Sequence, residues 1–238
     1  MYGYGYGFYF DRGYILVLIA AILSLVASAR VSTTFKKFSQ KRTARNITAE
    51  QAARGILDAN GLYNVRIESV GGNLTDHYDP RSNVIRLSDS VKNSTSVAAV
   101  GVAAHEAGHA VQHATGYVPI KVRNAIVPVA NIGSMAGPYL ILIGLILSGG
   151  LSNILINVGI WFFSFAVLFQ LVTLPVEFNA SRRAVSILEN GMYLESDEVP
   201  AVKKVLGAAA MTYVAAAAVS VANLLRFIML AGGRRRDD

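Results

Sequence analysis

The 238-residue chain contains no cysteine. A disulfide framework and a thiolate metal site are therefore both excluded, and any metal must be held by histidine and carboxylate. Histidine is itself scarce, at four residues. Charge is scarce too: Asp, Glu, Lys and Arg make up 16% of the chain, where a soluble globular protein carries roughly 25%. The 53 residues from Asn124 to Val176 contain none of the four. A bilayer span takes about 20 apolar residues, so that stretch is long enough for two. With 53% hydrophobic residues, a disordered or fibrous chain is excluded as well.

The apolar residues that are present fall into segments. Tyr14–Ala29 makes a short first span, preceded by the Gly-Tyr tract MYGYGYGFYF, which has no basic n-region and does not read as a secretory signal. Ala125–Leu147 and Ile154–Leu174 form a transmembrane hairpin joined by an uncharged turn at Ser148–Asn153. In its first leg Gly133, Gly137, Ser134 and Ala136 supply small residues for close packing, and Pro128 and Pro138 are expected to bend it. Pro175 is expected to end the second leg. The last segment, Gly207–Leu230, is Ala-rich and carries Arg226. The expected fold class is a mainly α integral membrane protein, with about four transmembrane helices and a more polar region containing a small β-sheet. The expected organisation is 1–30, tract and first span; 31–123, the more polar region; 124–175, hairpin; 176–205, a polar helix; 206–238, last helix and basic tail.

Net charge is +7, and 13 of the 22 basic residues lie between Arg30 and Arg123, while the hairpin turn has none. By the positive-inside rule the 31–123 region faces the cytoplasm. The run Arg30, Lys36, Lys37, Lys41, Arg42, Arg45 abuts an apolar segment, so it reads as a juxtamembrane signal facing anionic lipid rather than a nucleic-acid footprint. Arg234, Arg235 and Arg236 run against that rule if the last segment crosses, unless it re-enters or lies along the surface.

Within 31–123, Thr48 with Gln51 forms a capping box for a helix through Ala52, Ala53, Ile56 and Leu57 that Gly61 ends. Val65, Ile67 and Ser69 alternate with their neighbours as a half-buried strand, and Val84–Leu87 reads as a second. The latter is a candidate edge strand for an extended substrate. Asn93–Ser96 then offers N-caps for a helix from about Val97 to Ala114. That helix carries His105-Glu106-Ala107-Gly108-His109. Residues four apart share a helical face, so both imidazoles can reach one ion while Glu106 faces its open position. His113 is about 12 Å of helical rise from His105, too far for the same ion. His77 can approach from its loop. A carboxylate is the better third ligand, and Glu177, in Leu174-Pro-Val-Glu-Phe-Asn-Ala-Ser181, is available.

Leu74–Pro80, Ala103–Ala110 and Pro175–Arg183, with the Tyr-rich start, resemble the membrane-bound neutral zinc metallopeptidases of the YugP type over most of the chain. The arrangement is also similar to the HtpX-like and CAAX-prenyl membrane proteases, where H-E-x-x-H is followed by a transmembrane hairpin and a helix bringing a glutamate ligand. The resemblance implies a zincin-like catalytic region over 31–123, with the third zinc ligand on the 176–205 helix: Zn2+ is bound by His105, His109 and Glu177, with Glu106 as general base for a zinc-activated water in peptide hydrolysis. It departs at Ser181, where those proteases carry an aspartate that orients a zinc histidine. Asn179, Ser181, Asp76 or Asp79 could serve instead. Arg182, Arg183, Tyr78 and His77 are candidate oxyanion donors. The expected partners are membrane protein or peptide substrates and the lipid bilayer, and the resemblance implies the plasma membrane. The alternative is a non-proteolytic scaffold or assembly factor with a structural zinc. A transporter is disfavoured because the hairpin holds no ionisable residue.

Overall fold

The computed structural model describes residues 12–191 and 193–234. The Gly-Tyr tract and Arg235 and Arg236 lie outside the described residues. The elements are α1 (Arg12–Phe38), α2 (Ala49–Ala59), β1 (Arg66–Val70), β2 (His77–Asp79), β3 (Val84–Ser88), α3 (Val97–Ala114), α4 (Val118–Ile146), α5 (Gly150–Asn190) and α6 (Val199–Arg234). Among them α1, α4, α5 and α6 are long and apolar enough to cross a membrane. The chain is a mainly helical membrane protein with a three-stranded sheet.

Two units divide the chain. One takes in residues up to Leu25, Ile126–Gln170 and residues from Ala215 onward. Its surface is apolar, with Trp161, Met135, Leu151 and Ile154 exposed, as lipid-facing helices require. Without a hydrophobic drive between helices, close approach depends on small residues. A Cβ on Gly137 would stand 2.9 Å from the Gly159 carbonyl, and one on Gly133 would meet the Phe162 carbonyl. These two glycines are buried and do the packing expected of them, whereas Ser134 is exposed. Pro128 and Pro138 lie inside α4, which runs through both.

The other unit, Val26–Ala125 with Leu171–Val214, holds the sheet and a dry core. In α2 the buried positions Ala49, Ala52, Ala53, Ile56 and Leu57 follow the i, i+3, i+4 spacing of an amphipathic helix. Thr48 and Gln51 form the full capping box. The helix stops where Gly61 takes φ 71°. There Leu62 N–H donates to Leu57 O at 2.8 Å and Gly61 N–H to Asp58 O at 3.0 Å, a Schellman closure that favours glycine. The α2 face packs on Val100, Ala103 and Ala107 of α3, and Ile85, Leu188 and Val202 complete the core.

Two expectations are corrected. Strand order is β1-β3-β2, with β1 parallel and β2 antiparallel to β3. Val84–Leu87 is therefore the central strand, its edges taken by β1 and the unexpected three-residue β2, and it has no free edge to offer a substrate. Val84, Ile85 and Leu87 are fully buried, the pattern of an interior strand. Secondly, Pro175 does not end the second hairpin leg but lies inside α5, which continues to Asn190. A proline breaks a helix most readily in water. In an apolar setting the alternative to helix is unsatisfied backbone, so the helix continues.

Candidate metal centre

Two helices of the second unit, α3 and α5, converge on one point. Ser96 caps α3, its hydroxyl accepting from Ala99 N–H at 3.2 Å. The helix so begun presents His105, Glu106 and His109, and α5 brings Glu177 opposite them. What lets the two helices meet is Gly108, between the histidines: a Cβ there would lie 2.9 Å from the Ala180 carbonyl.

Glu177 Oε2 is 3.3 Å from His105 Nε2 and 3.4 Å from His109 Nε2. The two imidazoles stand edge to face with centroids 4.7 Å apart. One donor atom from each of the three residues lies within 4.8 Å of the others, an arrangement that could hold a metal ion. The fit is supported by Glu177 Oε2, which is buried yet forms no well-made hydrogen bond to any protein group. The field agrees. Burial alone would push the His109 pKa down, but the nearby Glu177 and Glu106 carboxylates override it, and the net direction is upward. The pocket favours a positive charge where a cation would sit.

Each imidazole is oriented through its other nitrogen. Ser181 Oγ is 3.2 Å from His105 Nδ1, so the serine that replaces the expected aspartate occupies the orienting position. His109 Nδ1 lies 3.0 Å from Gln112 Oε1. Gln112, wholly buried, donates through Nε2 to Val176 O and Asn179 Oδ1, both at 2.9 Å, locking α3 to α5. Gln112 was missed in the sequence, although its i+3 spacing from His109 was a usable signal. The other orienting candidates are engaged elsewhere. Asp76 accepts from Ser88 N–H at 2.7 Å, and Asp79 accepts from Ser82 at 2.7 Å and Arg86 at 3.2 Å.

A cavity of about 170 Å³ opens beside Glu106, His109 and Glu177, with His77, Arg123 and Tyr213 in its wall. Arg123 Nη1 is 3.8 Å from Glu177 Oε1, and Tyr213 shares the cavity wall with that carboxylate. Neither was legible in sequence, since each lies on an apolar helix distant in the chain. His77 lines the cavity as a candidate donor, whereas Tyr78, also in its wall, already donates its hydroxyl to Asn83 Oδ1 at 2.9 Å. Arg182 and Arg183 do not: Arg182 Nε donates to Phe178 O at 3.4 Å and Arg183 Nε to Asn179 Oδ1 at 2.8 Å. His113 is exposed and stacks edgewise on Tyr78, with centroids 6.0 Å apart.

Residues 13–232 match the family described as "Putative neutral zinc metallopeptidase". The chain is 49% identical over 218 residues, 91% of its length and 96% of the relative's, to "Putative membrane protease YugP" of Bacillus subtilis (strain 168). No solved structure matches it significantly.

Proposed function

The chain belongs to this neutral zinc metallopeptidase family, and from that premise we propose that it is a membrane endopeptidase whose zinc is held by His105, His109 and Glu177, with Glu106 handling the proton. The observation that carries the reading is the meeting of three ligand atoms within 4.8 Å on two helices, with Glu106 on the same turn as the histidines.

When bound, zinc supplies Lewis acidity, polarising a carbonyl and lowering a water's pKa to about 7. The chain's own residues do the rest. Glu106, mostly buried at 8% exposure, accepts the proton of the attacking water on its carboxylate and delivers it to the leaving amine, a role worth about 10²–10⁴ in rate. Ser181 and Gln112 fix the imidazole rings so that both Nε2 atoms face inward. The Tyr213 hydroxyl, Arg123 and His77 are the donors available to a developing oxyanion. Three donors leave a position open for reaction, which supports catalysis over a closed four-ligand structural site.

The site belongs on the cytoplasmic side by the distribution of basic residues, and the substrates are membrane-associated proteins or peptides. His109 shortly precedes α4 and Glu177 lies on α5, both long enough to span, which keeps the reaction close to the bilayer. Glu106→Gln tests the reading: zinc stoichiometry stays at wild-type level while cleavage of a membrane-anchored substrate falls at least about 100-fold. Unchanged cleavage refutes it.

A further inference from the structure

We infer that the cleft carries, next to Glu106, an apolar specificity chamber that takes one nonpolar side chain of the substrate adjoining the scissile bond. The inference rests on the peptidase reading above and adds the substrate class.

Two cavities meet at Glu106. They share Asp76, Glu106 and Tyr213, so they are the two sides of one cleft divided at the proposed proton-handling carboxylate. Their walls differ in chemistry. One side presents His77, Arg123 and Asn124. The other is closed by Val31 and Phe35 of α1, Val102 of α3, and Val205, Leu206 and Ala209 of α6. Its remaining polar groups are those already placed at the reaction, together with the aspartate the two sides share. An extended main chain whose scissile carbonyl faces Glu106 must send a neighbouring side chain into each half.

The apolar half holds about 170 Å³. A dry apolar cavity of about 150 Å³ is large enough for benzene, so this chamber accommodates a leucine, valine or phenylalanine side chain and is too small for a lipid acyl tail. A charged side chain there would leave water for an apolar wall whose further carboxylate, Asp76, is already engaged by Ser88 N–H and Oγ. The preference suits bonds at the edge of, or emerging from, a membrane-spanning segment.

The test uses the full chain in lipid nanodiscs with zinc, and a peptide library randomised on both sides of the cleaved bond, read by mass spectrometry. Wild type is expected to favour Leu, Val or Phe over Ala at one flanking position by about 10-fold or more in kcat/KM. Ala209→Phe, which fills the chamber from α6, should lower the Leu-to-Ala ratio by about 10-fold or more. Val102→Ala, which widens it, should shift the preference toward Phe, and it keeps the test alive if the larger substitution fails to fold. Zinc content is measured on each variant. A library profile without nonpolar preference, or one that neither substitution moves, overturns the chamber while leaving the peptidase intact. Cleavage that is equal in wild type and Glu106→Gln sinks the peptidase reading, and the chamber with it.

Discussion

Gly108→Ala isolates the helix contact on which the metal centre depends. Two effects of this substitution oppose each other. Alanine is favoured over glycine in a helix interior by about 1 kcal/mol. Against that, the new Cβ would sit 2.9 Å from the Ala180 carbonyl oxygen, with the Ala180 carbon and Cα next at 3.5 Å. All three are backbone atoms, so no rotamer can yield, and α3 and α5 must part by about 0.5 Å to restore ordinary contact. Overpacking of this kind costs about 1–3 kcal/mol, so the net change in stability is only about 0–2 kcal/mol. The centre is far less tolerant. Metal–ligand distances hold to within about 0.2 Å, and the separation falls between the helix that carries both histidines and the one that carries Glu177 and Ser181. Zinc affinity should therefore drop about 10–100-fold, the range seen when orienting partners are lost. Chelator competition measures this on purified protein, with thermal unfolding in parallel. Gly207→Ala is the control: it is mid-helix in α6 with nothing within 4 Å of its would-be Cβ, and should leave affinity alone while gaining about 0.5–1 kcal/mol. If Gly108→Ala binds zinc within twofold of wild type, the reasoning from close approach to ligand geometry is wrong.

Gln112→Leu leaves Val176 O and His109 Nδ1 without their buried partner, so it should lower zinc affinity about 10-fold or more and stability by about 1–3 kcal/mol, read by the same chelator and melting assays. Glu198, 2% exposed, accepts from Ala44 N–H at 2.8 Å and Glu195 N–H at 2.9 Å. Glu198→Ala should therefore destabilise by about 2–3 kcal/mol, with chemical denaturation as the check. The Ser82 hydroxyl, the Arg81 N–H and the Arg86 guanidinium hold Asp79 below its ordinary value of 3.8. A depressed carboxylate gives its stability in full above the unfolded pKa and loses it as pH falls through the folded one. Asp79→Asn should thus melt lower than wild type at pH 7, with the gap closing as pH falls below about 4. A gap that stays constant to pH 2.5 would disprove the assignment.

Features set by local chemistry could be read in advance. The capping box at Thr48 and Gln51, the α3 boundaries and the two-histidine face follow from spacings within one helix. So did the glycines of the hairpin, because in lipid only small residues bring backbones together. Rules calibrated in water or on isolated segments do not carry over to the rest of the chain. Pro175 would end a helix in water yet lies inside α5, and the Val84–Leu87 run holds no sign that a three-residue strand covers its second edge. Tyr213 and Arg123 sit in helices whose composition signals only apolarity, and their relation to Glu177 exists only once α4, α5 and α6 are packed.

Ser181 shows how such a departure alters the chemistry without emptying the position. Its hydroxyl meets His105 Nδ1 at 3.2 Å, and the partner of His109 is the Gln112 amide, so neither imidazole is made more basic by an adjoining carboxylate as it would be beside an aspartate. The negative charge facing a cation then comes from Glu177 and Glu106 alone, and Arg123, 3.8 Å from Glu177, offsets part of it. A cation bound here would be less neutralised by its surroundings than one backed by a carboxylate–histidine pair. It would be held less tightly and would draw more electron density from an oxygen it polarised. The tight helix contact at Gly108 and the Gln112 bridge compensate mechanically, fixing by packing a geometry that charge alone would not enforce.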